Sequence, residues 1–281
     1  MQYSRLLMSK IPLTSIISRY HNMPKFCANL SFMFTEKPFE ERYQLARDAG
    51  FKAVESAFPL GISKDDLVNH KTKANVEQIL INTYTDTTKG EFGYAAVVGQ
   101  GWQFDDSLKL TIDYAKSLGA KKIHIMSGKV EQPTAFNDER CENNLWYASK
   151  MLEKENIIGL IEPINKYSLP NYYMDSYEKA LSLIKKVNSP NLKLMLDIFH
   201  LQQIQGDITH TIKDVIQHVG HVQIAQVPNR NEPDTAGEIN YQYVFDLLES
   251  VGYNDWIGLE YKPSATTVQG LKWIKDFNYT L

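Results

Sequence analysis

Eight short apolar runs, separated by longer segments with a helical repeat, constrain this chain more than any other feature. The runs are Phe26–Ser31, Ala53–Ala57, Gln78–Thr83, Lys122–Met126, Ile157–Glu162, Leu192–Asp197, His221–Ala225 and Trp256–Glu260. Between them apolar residues recur at spacings of three and four, as in Leu108, Ile112, Ala115 and Leu118 before Gly119, or Ala180, Leu183, Ile184 and Val187 before Pro190. That spacing predicts amphipathic helices. A strand that is apolar almost throughout has both faces covered, the condition of a parallel sheet packed under helices. Eight strand–helix units close such a sheet on itself, so the expected fold class is α/β, a single-domain (β/α)8 TIM barrel. A doubly wound open sheet is the alternative, but no GxGxxG opens a helix after the first run. The 281 residues suit a barrel, which commonly takes about 250, and no linker-like composition divides the chain after Lys25.

With 43% hydrophobic and 22% charged residues and no biased tract, the chain can bury a large core. The formal charge is −3; residues 1–22 contribute +3 through Arg5, Lys10 and Arg19 and hold no acid, which leaves −6 on the remainder. A polyanion such as DNA is not the expected partner of so acidic a body. Cys27 and Cys141 form no CxxC and no second pair exists, so a disulfide framework or a thiolate zinc site is not indicated and a reducing compartment, the cytoplasm, is expected. No apolar run approaches the roughly eighteen residues of a bilayer span, so no membrane is expected. Residues 1–22, acid-free and rich in serine, resemble a mitochondrial transit peptide. The other reading is an ordinary extension, since Met23 could begin a complete protein and Pro12 interrupts any helix; the barrel is then residues 23–281.

Three of the last four runs end on a carboxylate: Glu162 after Leu160 and Ile161, Asp197 after Leu194, Met195 and Leu196, and Glu260 after Leu259. Between the last two lies HVQIAQVP, which carries Gln223. A lone acid at a strand end is more often a helix cap or salt-bridge partner. In a barrel, however, catalytic groups stand at the C-terminal ends of the strands. Side chains alternate along a strand, so Glu162 faces as Leu160 does, Asp197 as Met195 and Glu260 as Gly258. Three carboxylates converging on one axis would repel, and burying each would cost several kcal/mol. An all-oxygen set with Gln223 favours a hard divalent metal, Mg2+ or Mn2+. Such an ion can chelate a hydroxy-ketone and stabilise the enediolate formed on proton loss. Glu162 and Glu260, three strands apart, could then flank the substrate, one removing a proton and the other returning it at the adjacent carbon.

The runs MPKFCANLSFMF, LIEPIN, NLKLMLDIFH, GHVQIA, NEPDTAGEINY and IGLEYKP resemble the hydroxypyruvate isomerase family of xylose-isomerase-like barrels, over Met23 to nearly the C-terminus. The resemblance implies interconversion of hydroxypyruvate and tartronate semialdehyde, with Glu162 and Glu260 as the acid/base pair and Glu162, Asp197, Gln223 and Glu260 as metal ligands. Related sugar epimerases use a His three residues after the strand-six Asp and an Arg after the strand-seven ligand; His200 and Arg230 stand in those positions. Arg230, in NRNEPD, could pair with a substrate carboxylate, and Lys262 could serve likewise. Glu55, closing the second run, could orient substrate or a ligand, or form an ion pair. His124, in KKIHIM, is flanked by apolar residues and is read as a core histidine.

The chain departs from the family after the second and third runs. The family has EFLFP, a Gly-Asp-Trp loop and a Gly-Glu-Arg-Gly motif; here ESAFP and TDTTKGEFGY stand instead, with Phe92 in place of the Arg and Gln100 where a second basic residue would follow Gly99. Those loops are expected over the barrel mouth, so the metal side is kept and the substrate side altered. The expected partner is a small hydroxy-keto acid, with the oligomeric state, a homo-oligomer included, left open. The alternatives are a related sugar or keto-acid isomerase or 3-epimerase on the same metal site, or a barrel that binds ligand without turnover. An endonuclease IV-like barrel is disfavoured, since it needs more His ligands and a basic surface.

Overall fold

The computed structural model describes residues 24–281; the segment compared with a transit peptide, and Met23, lie outside the described residues. Eight strands pair in parallel, each with the next: β1 (Lys25–Asn29), β2 (Ala53–Ser56), β3 (Glu77–Asn82), β4 (Lys122–His124), β5 (Ile158–Ile161), β6 (Leu192–Asp197), β7 (Val219–Ile224) and β8 (Trp256–Leu259). β8 pairs back onto β1, from Lys25↔Trp256 to Ala28↔Leu259, and closes the barrel. This is the (β/α)8 barrel expected from the repeat of apolar runs.

The outer ring is α1 (Phe39–Asp48), α2 (Lys64–Ala74), α3 (Gly101–Leu118), α4 (Ala135–Lys154), α5 (Tyr177–Val187), α6 (Ile198–Ile204), α7 (Ile208–Val215), α8 (Tyr241–Ser250), α9 (Thr267–Gly270) and α10 (Lys272–Asp276). Local chemistry sets their ends. In α5 the Ser176 side chain accepts from the backbone N–H of Lys179, and the chain leaves through Asn188 in the left-handed region, two residues before Pro190. In α3 the apolar stripe Leu108, Ile112, Ala115 and Leu118 is buried and Gly119 ends the helix at φ +75°. No helix among the described residues is long and apolar enough to cross a membrane.

Two cores result. The larger lies between sheet and helices; the smaller, which includes Cys27, Ala53, Leu80, Leu160 and Met195, fills the barrel. Alternation therefore carries the next inward positions, Asn29, Asn82, Glu162 and Asp197, to the C-terminal end, with the Glu55 carboxylate lower down beside Gly258. β5 and β8 stop at Ile161 and Leu259, one residue short of the apolar runs, so Glu162 and Glu260 stand where the backbone leaves the sheet.

Inside the barrel, Gly258 has no room for a side chain. A Cβ on Gly258 would fall on the carboxylate of Glu55, whereas one on Gly101 would meet only the Arg140 guanidinium, at 3.7 Å. Gly258→Ala is expected to destabilise the protein by about 1–3 kcal/mol in urea unfolding, while Gly101→Ala stays within about 0.5 kcal/mol of wild type. Equal midpoints for the two variants would contradict the packing of β8 against β2.

Candidate active site

A cavity of about 270 Å³ opens at the C-terminal end of the barrel, and Glu162, Glu260, His124, His200 and Arg230 are among its lining residues. Asp197 and Gln223 lie directly beneath, 0% and 1% exposed, and face each other across the β6–β7 pairing. Ligand-type atoms of Glu162, Asp197 and His200 lie within 4.8 Å of one another. Arg230 Nη2 joins Glu260 to this group: it donates to Glu260 Oε2 and lies 3.6 Å from Asp197 Oδ2. The structure thus gathers Glu162, Asp197 and Glu260 around Arg230, with Gln223 level with Asp197 on the neighbouring strand.

Their hydrogen bonding is incomplete in one direction. Asp197 Oδ1 caps α6 by accepting from the Phe199 N–H at 2.7 Å, yet Asp197 Oδ2, Glu162 Oε1 and Gln223 Oε1 are buried with no hydrogen-bond partner. Three buried oxygens without donors are costly unless a cation meets them. One guanidinium also faces three carboxylates, so the cluster is short of positive charge. Both observations fit a hard divalent cation.

The same imbalance moves the acid equilibria. Burial pushes the Glu162 carboxyl well above its ordinary range, and the charges of Glu260 and Asp197 push it further. Burial lifts Glu260 to about 8 against the pull of Arg230. It lifts Asp197 to about 6 against Arg230 and the backbone N–H groups of Phe199 and His200. The two histidines are neutral: burial lowers His124 to about 3 and takes His200 well below its usual value, with Arg230 and His124 adding to the effect. His200 Nδ1 meets Asn165 Nδ2 at 2.6 Å and accepts from the Asn165 backbone N–H at 3.3 Å. The proton of neutral His200 is therefore on Nε2, 3.6 Å from Asp197 Oδ2 and 3.8 Å from Glu162 Oε1.

Arg230 is held for its task. Its guanidinium lies between the rings of Phe32 and Phe199, 4.6 and 4.9 Å from their centroids. Its backbone takes φ +59°, strained for a residue with a side chain.

A profile of the xylose isomerase-like TIM barrel family matches residues 43–277. The chain belongs to that family. Within the xylose isomerase-like barrels it is 40% identical over 260 residues to a protein of Escherichia coli named hydroxypyruvate isomerase, covering 91% of this chain and 100% of the relative. It is 36% identical over 260 residues to a Cupriavidus necator protein named 2-oxo-tetronate isomerase, covering 91% and 99%. A solved structure from Brucella melitensis, described as an AP endonuclease of family 2, superposes with a TM-score of 0.87 at 41% identity, covering 90% and 99%.

Two expectations, and one alternative of a third, are corrected by this xylose isomerase-like barrel. Of the three readings of Glu55, direct contact with substrate is the one that does not hold: it does not line the cavity but lies one layer lower, 0% exposed, where it pairs with His221 and meets Gln223 and Asn29. Lys262 is exposed and outside the cavity lining: it is two residues past Glu260, where the chain has turned outward, and its backbone N–H donates to the Arg230 carbonyl at 2.7 Å. His124 is no packing histidine. It lines the cavity with Nδ1 3.7 Å from Glu162 Oε2 and neither ring nitrogen hydrogen-bonded. Alternation from Lys122, which also points into the barrel, carried that information. Asn29 and Asn165 were missed; Asn29 ends its strand as the acids do. Phe92 lines the cavity, and Gln100 precedes α3 away from it.

These equilibria give a pH dependence with a definite sign. Carboxyls that titrate near 3.8 and 4.5 when unfolded titrate higher in the fold, so stability is fullest below those values and is lost as pH rises from there to about 6 for Asp197 and about 8 for Glu260. For Asp197 alone the loss is on the order of 3 kcal/mol. In EDTA, the thermal midpoint is expected to fall between pH 4 and 7 more steeply for wild type than for Asp197→Asn. A wild-type midpoint that rises relative to the variant over that range would contradict this.

Proposed function

We propose that the chain is a hydroxypyruvate isomerase, acting on a small hydroxy-keto acid with Glu162 and Glu260 as its acid/base pair. The observation that carries this is the group of partnerless buried oxygens on Glu162, Asp197 and Gln223 beside Glu260 at the cavity wall. Glu162, Asp197, Gln223 and Glu260 would hold one Mg2+ or Mn2+, and when bound the cation polarises adjacent hydroxyl and carbonyl oxygens of the substrate. One glutamate takes the proton from C3 of hydroxypyruvate and its counterpart delivers a proton to C2, while the C3 hydroxyl proton passes to the C2 oxygen. The product is 2-hydroxy-3-oxopropanoate, with no net change in protons. Two acids that repel each other share a single proton readily, which suits a pair that must take and give.

The neutral histidines and Arg230 attend the substrate. His200 offers Nε2–H to a substrate oxygen, its Nδ1 being held by Asn165. His124 provides a second neutral imidazole next to Glu162. Arg230 opposes the upward shift of the Glu260 carboxyl and holds it in place, and faces the cavity for a carboxylate. The acidic body, at −6 outside residues 1–22, does not favour DNA as substrate.

A second substrate has a specific observation behind it. The wall away from the carboxylates is apolar, with Phe58, Leu60, Phe92, Met126, Ile164 and Leu169, and leaves space for a four-carbon 2-oxo acid.

Replacing Glu162 or Glu260 by Gln is expected to lower kcat on hydroxypyruvate about 10²–10⁴-fold with the circular dichroism spectrum unchanged. Near-wild-type turnover in either variant would refute the pair. In a panel with four-carbon 2-oxo acids and keto-sugars, hydroxypyruvate should have the highest kcat/KM; a four-carbon acid in first place would transfer the assignment to the 2-oxo-tetronate type.

A further inference from the structure

A column of hydrogen-bonded side chains rises through the barrel to the carboxylate cluster, and the reaction uses none of its lower members. Lys122 Nζ donates to Asp255 Oδ2 at 2.8 Å at the N-terminal end and lies 3.2 Å from His221 Nδ1. His221 Nε2 meets Glu55 Oε2 at 2.6 Å, and Cys27 Sγ donates to the same oxygen at 3.4 Å. The other oxygen, Glu55 Oε1, accepts from Gln223 Nε2 at 2.7 Å and from Asn29 Nδ2 at 2.9 Å. Asn29 Nδ2 also donates to Glu260 Oε1 at 3.2 Å. Glu55 and His221 are 0% exposed.

Cys27, Glu55 and His221 place ligand-type atoms within 4.8 Å of one another, as Glu162, Asp197 and His200 do. The two groups differ in what those atoms already hold. In the lower group Glu55 and His221 are hydrogen-bonded at every oxygen and ring nitrogen. In the upper group Asp197 Oδ2 and Glu162 Oε1 have no partner. The lower group is therefore a support.

What it supports is an orientation. A glutamine carboxamide has a donor end and an acceptor end of nearly equal shape, and its surroundings decide which end points where. At Gln223 the amine end is drawn down to Glu55 Oε1, and Oε1 is left buried and unpaired, turned away from Glu55. We propose that Glu55 is a positioning residue that keeps the oxygen of Gln223, not its nitrogen, turned toward Glu162 and Asp197, and so makes an amide serve as the fourth oxygen donor. Through Asn29 the same carboxylate fixes Glu260 Oε1. His221, with Lys122 and Asp255 below it, holds Glu55 in turn.

This inference rests on the cation site proposed above, and its test reads metal affinity rather than turnover. Mn2+ binding is measured on the full chain from the electron paramagnetic resonance of the free ion, with circular dichroism as the check on folding. Glu55→Gln gives Gln223 a partner that can donate as well as accept, so its amide is free to turn over. The Mn2+ dissociation constant is expected to rise about 10–100-fold. The exchange Glu55→Gln with Gln223→Glu keeps one amide and one carboxylate in the same contact and again turns an acceptor oxygen toward the cluster, so it should recover most of the lost affinity. A role in packing alone would not be rescued by the exchange.

A folded Glu55→Gln that binds Mn2+ as tightly as wild type overturns the inference while leaving the cation site standing. So does an exchanged protein no better than Glu55→Gln. A wild-type protein that binds no Mn2+ overturns the inference and the cation site together. If Glu55→Gln alone does not fold, the exchanged protein decides: affinity near wild type supports the positioning role, and its loss overturns it.

Discussion

Negative charge gathered at the mouth of the barrel is the constraint on which the rest of the structure depends. Glu162, Asp197 and Glu260 converge where the dielectric is low, and among the described residues Arg230 is the cation that opposes them. Burial and mutual repulsion raise all three acids above their ordinary range. A fold selected for stability alone would not assemble such a group, because replacing it with apolar side chains would remove the desolvation penalty. The arrangement fits the proposed site, whose charge a cation would complete and whose raised acid equilibria would serve to move a hydrogen between adjacent carbons.

The barrel suits this task because it separates what holds from what reacts. Inside, alternation stacks an apolar layer of Cys27, Ala53, Leu80, Leu160 and Met195 beneath the acids, and a polar column from Lys122 to Glu55 threads the same interior. Outside, the larger core fastens each strand to its helix. The reacting side chains thus come from strand ends that are fixed on both faces, while the loops above supply Phe58, Phe92 and Leu169 and are free to set the shape of the substrate's far side. This division lets the loops after β2 and β3 change while the strand ends that carry the acids stay fixed.

Much of this was legible in the sequence, for a physical reason. A parallel barrel strand is buried on both faces, so a carboxylate at its end stands out against the apolar run, and Glu162, Asp197 and Glu260 could be picked out with no other information. Gln223 was legible only from its place in the series, since an amide in a strand is unremarkable. Other positions need the alternation followed through every strand. Glu55 is two residues from Ala53 on an inward-facing set, which put it in the barrel, but its depth depends on the register shift between Val54 and Glu55, which the sequence does not carry. The apolar neighbours of His124 suggest packing, though Lys122 two residues earlier marks the inward face. Lys262 was judged by distance along the chain, and the turn after β8 moves it out. Arg230 was found, but not its contact with Glu260, which depends on a left-handed backbone and on two flanking rings.

The central claim is that four side chains from consecutive strands share one ion. Anomalous diffraction at the manganese edge from a crystal grown with Mn2+ tests it directly. A single peak about 2.0–2.2 Å from oxygens of Glu162, Asp197, Gln223 and Glu260 is the predicted result, within the range expected for a small hard divalent cation. A map with no peak among those oxygens, or with its peak held by Cys27, Glu55 and His221 instead, would contradict it.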